Sequence, residues 1–147
     1  MSWEMVDEGW GRRAVEFATL SEPSACREYV AVHHRLGIGV GDRLLDVACG
    51  SGLAIELATV RGANCAGIDA SPRLAAVAND RNPDCDIRVG DMGALPWDGE
   101  TFDVVTVSVA SGERHQPPSK RRTVFSFRAA VWPSPCGEMS ASLLGRG

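Results

Sequence analysis

Apolar positions between residues 40 and 110 follow two alternating periods. Short apolar runs are separated by longer stretches in which apolar side chains recur at helical spacing. This rhythm predicts strands at Arg43–Val47, Asn64–Ile68, Asp86–Val89 and Asp103–Val109, and helices at Gly52–Arg61 and Ser71–Arg81. Strands and helices that alternate at this spacing form parallel sheets. The pattern therefore predicts an α/β fold with a Rossmann-like parallel sheet and flanking helices.

The connection rules of parallel sheets predict the strand order as well. Right-handed crossovers place the first strand beside the second, with the fourth strand on the other side of the first. Ligands of such sheets bind at the carboxyl ends of the strands, where the order of the strands reverses. We therefore expect the ligand between the first and fourth strands.

One more helix is predicted ahead of the first strand, over Ser21–Leu36. Pro23 suits its first turn and Gly37 suits its end. His33 and His34 are adjacent on this helix, so their side chains face different directions. We expect a partly exposed helix face to explain them, and we name no catalytic residue.

The composition is that of a globular chain with one core. The 147 residues are 44% hydrophobic and 23% charged, with a net charge of −4. No apolar run is long enough to cross a bilayer, and the acidic start MSWEMVDEGW does not resemble a signal peptide. We expect a cytoplasmic protein without a membrane partner. The five cysteines lack CxxC spacing, which predicts neither a metal site nor a disulfide framework.

The chain changes character after residue 110. Residues 1–110 hold 17 acidic and 9 basic side chains, a charge of −8, whereas residues 111–147 hold 2 and 6, a charge of +4. The later part is rich in proline and serine and loses the strand and helix rhythm. We therefore expect three parts: an N-terminal segment over 1–20, a ligand-binding domain over 21–110, and a basic, poorly ordered tail over 111–147.

Candidate chemistry lies where the first predicted strand ends, in LLDVACGSGLAIELA. Asp46 ends the apolar strand, and residues 48–52, here called the glycine turn, have no bulky side chain. Small residues permit a tight turn and a close approach of the backbone to a ligand. The helix that follows presents unpaired N–H groups, which suit a ligand carboxylate.

A second acid, Asp69, ends the next predicted strand, where a carboxylate can accept hydrogen bonds from both hydroxyls of a ribose. The dinucleotide pattern GxGxxG is incomplete, because Ile55 stands at its third glycine and would crowd the helix against the strand. Asp46 would repel a pyrophosphate but attract an ammonium group. A phosphate-free, zwitterionic cofactor fits better, and S-adenosylmethionine is such a molecule.

Four motifs support this interpretation, in the expected order along the chain. DVACGSG resembles the first motif of the class I S-adenosylmethionine-dependent methyltransferases, and GIDAS resembles their ribose-binding acidic motif. GDMGALPW and FDVVTVS resemble their third and fourth motifs. The residues of these motifs are similar to those of the small-molecule methyltransferases of ubiquinone and menaquinone biosynthesis. The resemblance covers roughly residues 41–108. One departure is Ala48, where the family more often has glycine, a mild change that should narrow the turn.

The resemblance implies a role for each matching residue. Asp46 and the glycine turn would hold the methionine end, Asp69 the ribose, Asp91 and Met92 the adenine, and Ser108 would line the pocket near the sulfonium. It also implies methyl transfer to a small-molecule acceptor, with no nucleic acid partner. The cofactor-binding residues so implied are Asp46, Ala48, Cys49, Gly50, Gly52, Asp69, Ala70, Asp91, Met92 and Ser108.

The family sheet has seven strands, and this sequence predicts about four, so we expect an incomplete sheet with an unpaired edge on the fourth strand and a weakly folded chain. If Val124–Pro133 is read from the third base of each codon, the available readings include the family's leucine, proline and two glycines. This suggests that the tail comes from a shifted reading frame, a hypothesis that the coding DNA tests.

Two other readings stay open. One is a fragment of an NAD(P)-binding Rossmann oxidoreductase, since the same layout serves dinucleotides. The other is a non-catalytic interaction protein whose basic tail matters more than its pocket. Titration with S-adenosylhomocysteine and with NADH separates the first from a methyltransferase, and salt-sensitive retention on nucleic acid would support the second.

Overall fold

A five-stranded, fully parallel sheet organises the chain. The computed structural model describes residues 3–99, 101–109 and 124–128. The strand order is β3-β2-β1-β4-β5. The strands are β1 Arg43–Val47, β2 Asn64–Asp69, β3 Asp86–Val89, β4 Val104–Val109 and β5 Val124–Arg128. The predicted α/β class and the position of β1 between β2 and β4 are confirmed.

Three longer helices connect or precede the strands. They are α3 Cys26–Leu36, α4 Leu53–Val60 and α5 Pro72–Arg81. The cap predicted for α5 is present, because Ser71 Oγ accepts a hydrogen bond from the Leu74 N–H at 3.2 Å. Gly37 ends α3 in the left-handed conformation, as its sequence position predicts.

Residues 3–25 form a string of short helical pieces. From here on, the name N-terminal segment refers to this range, in place of the range 1–20 predicted from the sequence. It contains α1 Trp3–Gly9, a 3-10 turn Gly11–Arg13, α2 Ala14–Glu16, a π turn Phe17–Ser21 and a 3-10 turn Glu22–Ala25. Trp10 packs edge-on against Phe17, with ring centroids 5.7 Å apart. The helix predicted over Ser21–Leu36 is therefore a 3-10 turn followed by α3.

The central strand β1 is buried on both faces, as expected for a parallel sheet. Leu44 packs with Ala58 of α4 on one face. Leu45 and Val47 face the other side, where they meet side chains of the connection from β3 to β4, including Trp97. Burial on both faces fixes the position of the β1 carboxyl end, which carries the candidate site.

The sheet differs from the prediction at β5. Residues 124–128 lie in the segment for which we predicted no regular structure, yet they pair in parallel with β4, with Val105 opposite Val124. The segment VFSFR is rich in residues that favour strands, and β4 offers an open edge. In the described part of the chain β4 is therefore paired, and the open edge of the sheet lies on β5 instead. The shifted reading frame stays a prediction about the coding DNA.

His33 is fully buried, with 1% of its surface exposed, whereas His34 is exposed. The expectation of a partly exposed face was therefore wrong for His33, because this side of α3 packs inward. Its Nδ1 has no hydrogen-bond partner among the described residues. Burial, aided by the charge of Arg61, lowers the pKa of His33 to about 4.

This burial predicts acid sensitivity. The folded state binds the His33 proton only near pH 4, whereas the unfolded chain binds it near pH 6.5, so stability falls as the pH drops through that window. We expect His33→Leu to lessen this loss, by about 2 kcal/mol at pH 4.5 relative to pH 7. Urea unfolding of both proteins at the two pH values measures it. If the wild-type and His33→Leu proteins lose the same stability between pH 7 and pH 4.5, His33 is not the source of the acid sensitivity.

No helix within the described ranges has both the length and the apolar character needed to cross a membrane.

Candidate cofactor-binding site

Asp46 is the most unusual group of the candidate site, because its carboxyl group is completely buried. Thr106, its register partner on β4, donates a hydrogen bond from Oγ1 to Asp46 Oδ1 at 2.6 Å. Asp46 Oδ2 has no partner in the part of the chain that the structure describes. Burial, together with the nearby carboxylates of Glu22 and Asp69, raises the pKa of Asp46 to about 7, although the hydrogen bond from Thr106 opposes the shift.

Asp69 closes the site from the neighbouring strand. The N–H of Gly50 donates to Asp69 Oδ2 at 2.9 Å, and the N–H of Ser71 donates to Oδ1 at 2.8 Å. Burial raises the pKa of this carboxyl, although the backbone N–H groups of Ser71, Gly50 and Ala70 oppose the shift. A carboxylate offers about four acceptor sites, so Asp69 can hold the turn and still accept from a ligand.

The glycine turn has the tight geometry that its sequence predicts. Gly50 and Gly52 adopt positive φ angles of 57° and 81°. A Cβ on Gly52 would lie 2.6 Å from Asn82 Nδ2 and 3.0 Å from Ala78 Cβ, so only glycine fits there. The carbonyl of Gly52 accepts the Glu56 N–H at 3.0 Å and thereby starts α4.

Ile55 does not crowd the helix against the sheet, which corrects our expectation. It is fully buried, and the space for it comes from Gly67 on β2. A Cβ on Gly67 would lie 2.6 Å from Ile55 Cδ1. The glycine that allows close packing therefore lies on the strand here, rather than at the third position of the helix.

Ala48 has φ of +57°, the one non-glycine residue with positive φ within the described ranges. This conformation costs a residue with a Cβ about 1 kcal/mol or more. We expect Ala48→Gly to stabilise the protein by about 1 kcal/mol and to raise its Tm by about 3 °C. Differential scanning calorimetry measures this. Gly41→Ala, at φ +87° with open space around it, is the matched control and should lower the Tm. An unchanged or lower Tm for Ala48→Gly would contradict the strain.

The N-terminal segment covers the glycine turn, a feature that the sequence did not predict. A Cβ on Gly50 would lie 3.0 Å from Phe17 Cε1 and 3.3 Å from Glu22 Oε1. The Ser51 hydroxyl donates a hydrogen bond to Glu22 Oε2, and Arg81 donates to the same oxygen from Nη1 at 2.7 Å. Contacts between residues 28 or more positions apart leave no periodic signal in a sequence.

The remaining predicted residues lie around this centre. Cys49 is buried in the core and contributes backbone groups to the turn. Ala70 follows Asp69 and is half-buried. Asp91 is exposed and accepts the Gly93 N–H at 2.8 Å. Met92 belongs to the β3–β4 connection and packs against the sheet face. Ser108 lies in β4, but its side chain is outside the described residues.

A parallel sheet with a glycine turn after β1 and acids at the ends of β1 and β2 is typical of the class I S-adenosylmethionine-dependent methyltransferases. The model of a methyltransferase domain family matches residues 44–133, which include β5. The chain belongs to this family, as the four motifs predicted, and S-adenosylmethionine is the family's cofactor.

Relatives of several kinds share this domain. The chain is 35% identical over 82 residues to a demethylmenaquinone methyltransferase of Renibacterium salmoninarum, covering 56% of this chain and 35% of that protein. It is 41% identical over 61 residues to an 18S rRNA (guanine-N(7))-methyltransferase of Mus musculus, covering 41% of this chain and 22% of that protein. The chain thus spans about a third or less of these curated relatives.

A solved structure shares the fold. It is a chain from the complex of the Haloferax volcanii Trm112 methyltransferase activator with a methyltransferase, and it superposes with a TM-score of 0.55 at 26% identity. The match covers 69% of this chain and 47% of that one.

Proposed function

We propose that this chain binds S-adenosylmethionine and serves methyl transfer to a small-molecule acceptor. The observation that carries the proposal is the pair of acids at the ends of β1 and β2. Asp46 is fully buried with one oxygen unpartnered among the described residues, and Asp69 holds the turn beside it. An unpartnered buried carboxylate oxygen suits a cationic donor such as an ammonium group.

The residues fit the cofactor group by group. Asp46 Oδ2 would accept from the ammonium of the methionine end, and the free lone pairs of Asp69 would accept from the ribose hydroxyls. Asp91 and Met92, which follow β3, would contact the adenine, and Ser108 on β4 would lie near the sulfonium. No described group occupies Asp46 Oδ2, so the buried acid is ready for a cation.

When bound, S-adenosylmethionine supplies an electrophilic methyl group. A nucleophilic atom of the acceptor forms a bond to the methyl carbon as the bond between that carbon and sulfur breaks. The contribution of this chain would be alignment and the exclusion of water. Phe17 and Glu22, which cover Gly50, serve the second task. We assign no side chain as a catalytic base.

A cavity in the N-terminal segment supports a small-molecule acceptor. It measures about 460 Å³ and is lined by Trp10, Arg12 and Phe17, among others. Phe17 lines this cavity and also lies on Gly50, so the cavity adjoins the glycine turn. Its volume suits a compact organic molecule. The demethylmenaquinone methyltransferase relative is consistent with such an acceptor.

Isothermal titration calorimetry tests the proposed cofactor. We expect S-adenosylhomocysteine to bind with micromolar affinity and NADH to give no heat. Binding of NADH in preference to S-adenosylhomocysteine would instead support an oxidoreductase fragment.

A second experiment tests the acceptor class. Transfer of tritium from labelled S-adenosylmethionine is measured with a panel of phenols and quinols and, separately, with total ribosomal RNA. We expect label in the small molecules. Label in the RNA alone would overturn the small-molecule acceptor but leave the cofactor unaffected.

A further inference from the structure

Glu22 brings a third carboxylate to the glycine turn. Only 2% of this residue is exposed, an extent of burial that is rare for a glutamate. Its Oε2 accepts hydrogen bonds from the Ser51 hydroxyl and from Arg81 Nη1, and Arg81 Nη1 also lies 2.9 Å from the Ser51 carbonyl oxygen. The N-terminal segment thus carries a buried charge onto the turn itself.

The second carboxylate oxygen of Glu22 faces the turn. Glu22 Oε1 lies 3.3 Å from the position that a Cβ on Gly50 would take. The charge of Glu22 also acts on both acids of the site, because it raises the pKa values of Asp46 and Asp69. Three carboxylates therefore share one electrostatic environment around the turn.

The charges of this cluster do not cancel. Glu22, Asp46 and Asp69 place three carboxylates around the turn, and Arg81 forms the ion pair with this cluster that the described residues show. The cluster therefore carries a negative excess once Asp46 is ionised, near and above pH 7. Asp46 Oδ2 is also unpartnered within the described part of the chain. No described group of three or more such side chains is arranged to hold a metal ion. The excess negative charge at this buried site therefore favours an organic cation as its ligand.

We propose that Glu22 is a specificity residue of the cofactor site, which favours cationic S-adenosylmethionine over its neutral product S-adenosylhomocysteine. This inference rests on the proposed function. The two molecules differ in the methyl group and in the positive charge of the sulfonium, so a nearby negative charge stabilises the first more than the second. In a water-excluded site this difference is larger than at a surface. The site would then bind S-adenosylmethionine more tightly and release S-adenosylhomocysteine more readily.

A purely structural role for Glu22 makes a different prediction. If Glu22 only fastens the N-terminal segment to Ser51 and Arg81, its loss weakens the two ligands equally. If its charge acts on the sulfonium, the ratio of the two affinities changes. The ratio therefore separates specificity from fastening.

Glu22→Gln is the variant of choice, because glutamine keeps the shape and can still accept the Ser51 bond through its amide oxygen. We expect the preference for S-adenosylmethionine over S-adenosylhomocysteine, measured by calorimetry, to fall by about five-fold or more. Glu56→Gln is the matched control. Glu56 Oε2 lies 3.5 Å from the Nε of the same Arg81 but is half-exposed, and its variant should keep the wild-type ratio. An equal loss for both ligands, or no loss, would overturn the proposal.

A measurement on the wild-type chain covers the case in which Glu22→Gln does not fold. Sinefungin carries an amine where S-adenosylmethionine carries its methylated sulfur, so it is cationic at neutral pH. We expect it to bind at least five-fold more tightly than S-adenosylhomocysteine. Equal affinities would overturn the role of charge. A wild-type chain that binds none of the three molecules would refute the proposed function instead.

Discussion

Replacing Asp69 by asparagine is expected to lower the affinity for S-adenosylhomocysteine by about 100-fold. The carboxylate would lose charge-assisted bonds to two ribose hydroxyls, each worth about 1.5–3 kcal/mol. The new amide would also turn a donor toward either the Gly50 or the Ser71 N–H, both of which need an acceptor. Calorimetric titration of both proteins measures the loss.

The loss must be separated from unfolding. Circular dichroism and a thermal melt of the Asp69→Asn protein should show a folded chain with a Tm lower by a few degrees, since one of two turn bonds is lost. Asp98→Asn is the control, because Asp98 is exposed and its carboxylate forms no hydrogen bond with another described residue. An affinity for S-adenosylhomocysteine within three-fold of wild type in a folded Asp69→Asn protein would refute the ribose assignment.

The sequence could predict the strands and the two acids because both depend on local patterns. The apolar runs marked four strands within one residue of their ends, and parallel topology then brought Asp46 and Asp69 to the same edge of the sheet. The small residues of the glycine turn predicted a tight backbone conformation, and Gly50 and Gly52 both have positive φ.

The sequence could not predict how the site is covered, because that depends on contacts between distant positions. Glu22 lies in a predicted first helical turn, where an acid is ordinary, and only the fold places it on Ser51. Threonine is common in strands, so the sequence gives Thr106 no special role. Its hydrogen bond to Asp46 depends on the register between β1 and β4. The predictions for His33 and for residues 124–128 were wrong for the same reason. The burial of His33 and the pairing of β5 with β4 both depend on elements that are distant in the sequence.

Replacing Asp46 by asparagine should act on stability and on binding in opposite directions. Asparagine keeps the shape and can still accept the Thr106 bond at Oδ1. It cannot offer a carboxylate to the ammonium group of the cofactor, so we expect the affinity for S-adenosylhomocysteine to fall by about 50-fold or more, measured by calorimetry. The same change removes a charge from a completely buried place, which should stabilise the protein without ligand.

The sign of the stability effect follows from the raised pKa. The folded chain keeps the Asp46 proton up to about pH 7, whereas the unfolded chain releases it near pH 3.8. The contribution of Asp46 to stability is therefore full below pH 3.8 and is lost as the pH rises through 7. We expect the free energy of unfolding of the ligand-free Asp46→Asn protein to exceed that of wild type by about 4 kcal/mol at pH 8 and by about 2 kcal/mol at pH 5. Urea unfolding at both pH values measures this difference.

Binding and stability together test why the acid is there. A buried carboxylate that weakens the empty protein above pH 7 is expected where a ligand cation later stabilises it, since ligand sites retain groups that folding alone disfavours. S-adenosylhomocysteine at saturation should therefore raise the Tm of wild type above that of Asp46→Asn at pH 8, reversing their order without ligand. If Asp46→Asn is the less stable protein at pH 8 without ligand, the acid is a structural group, and its assignment to the methionine end is wrong.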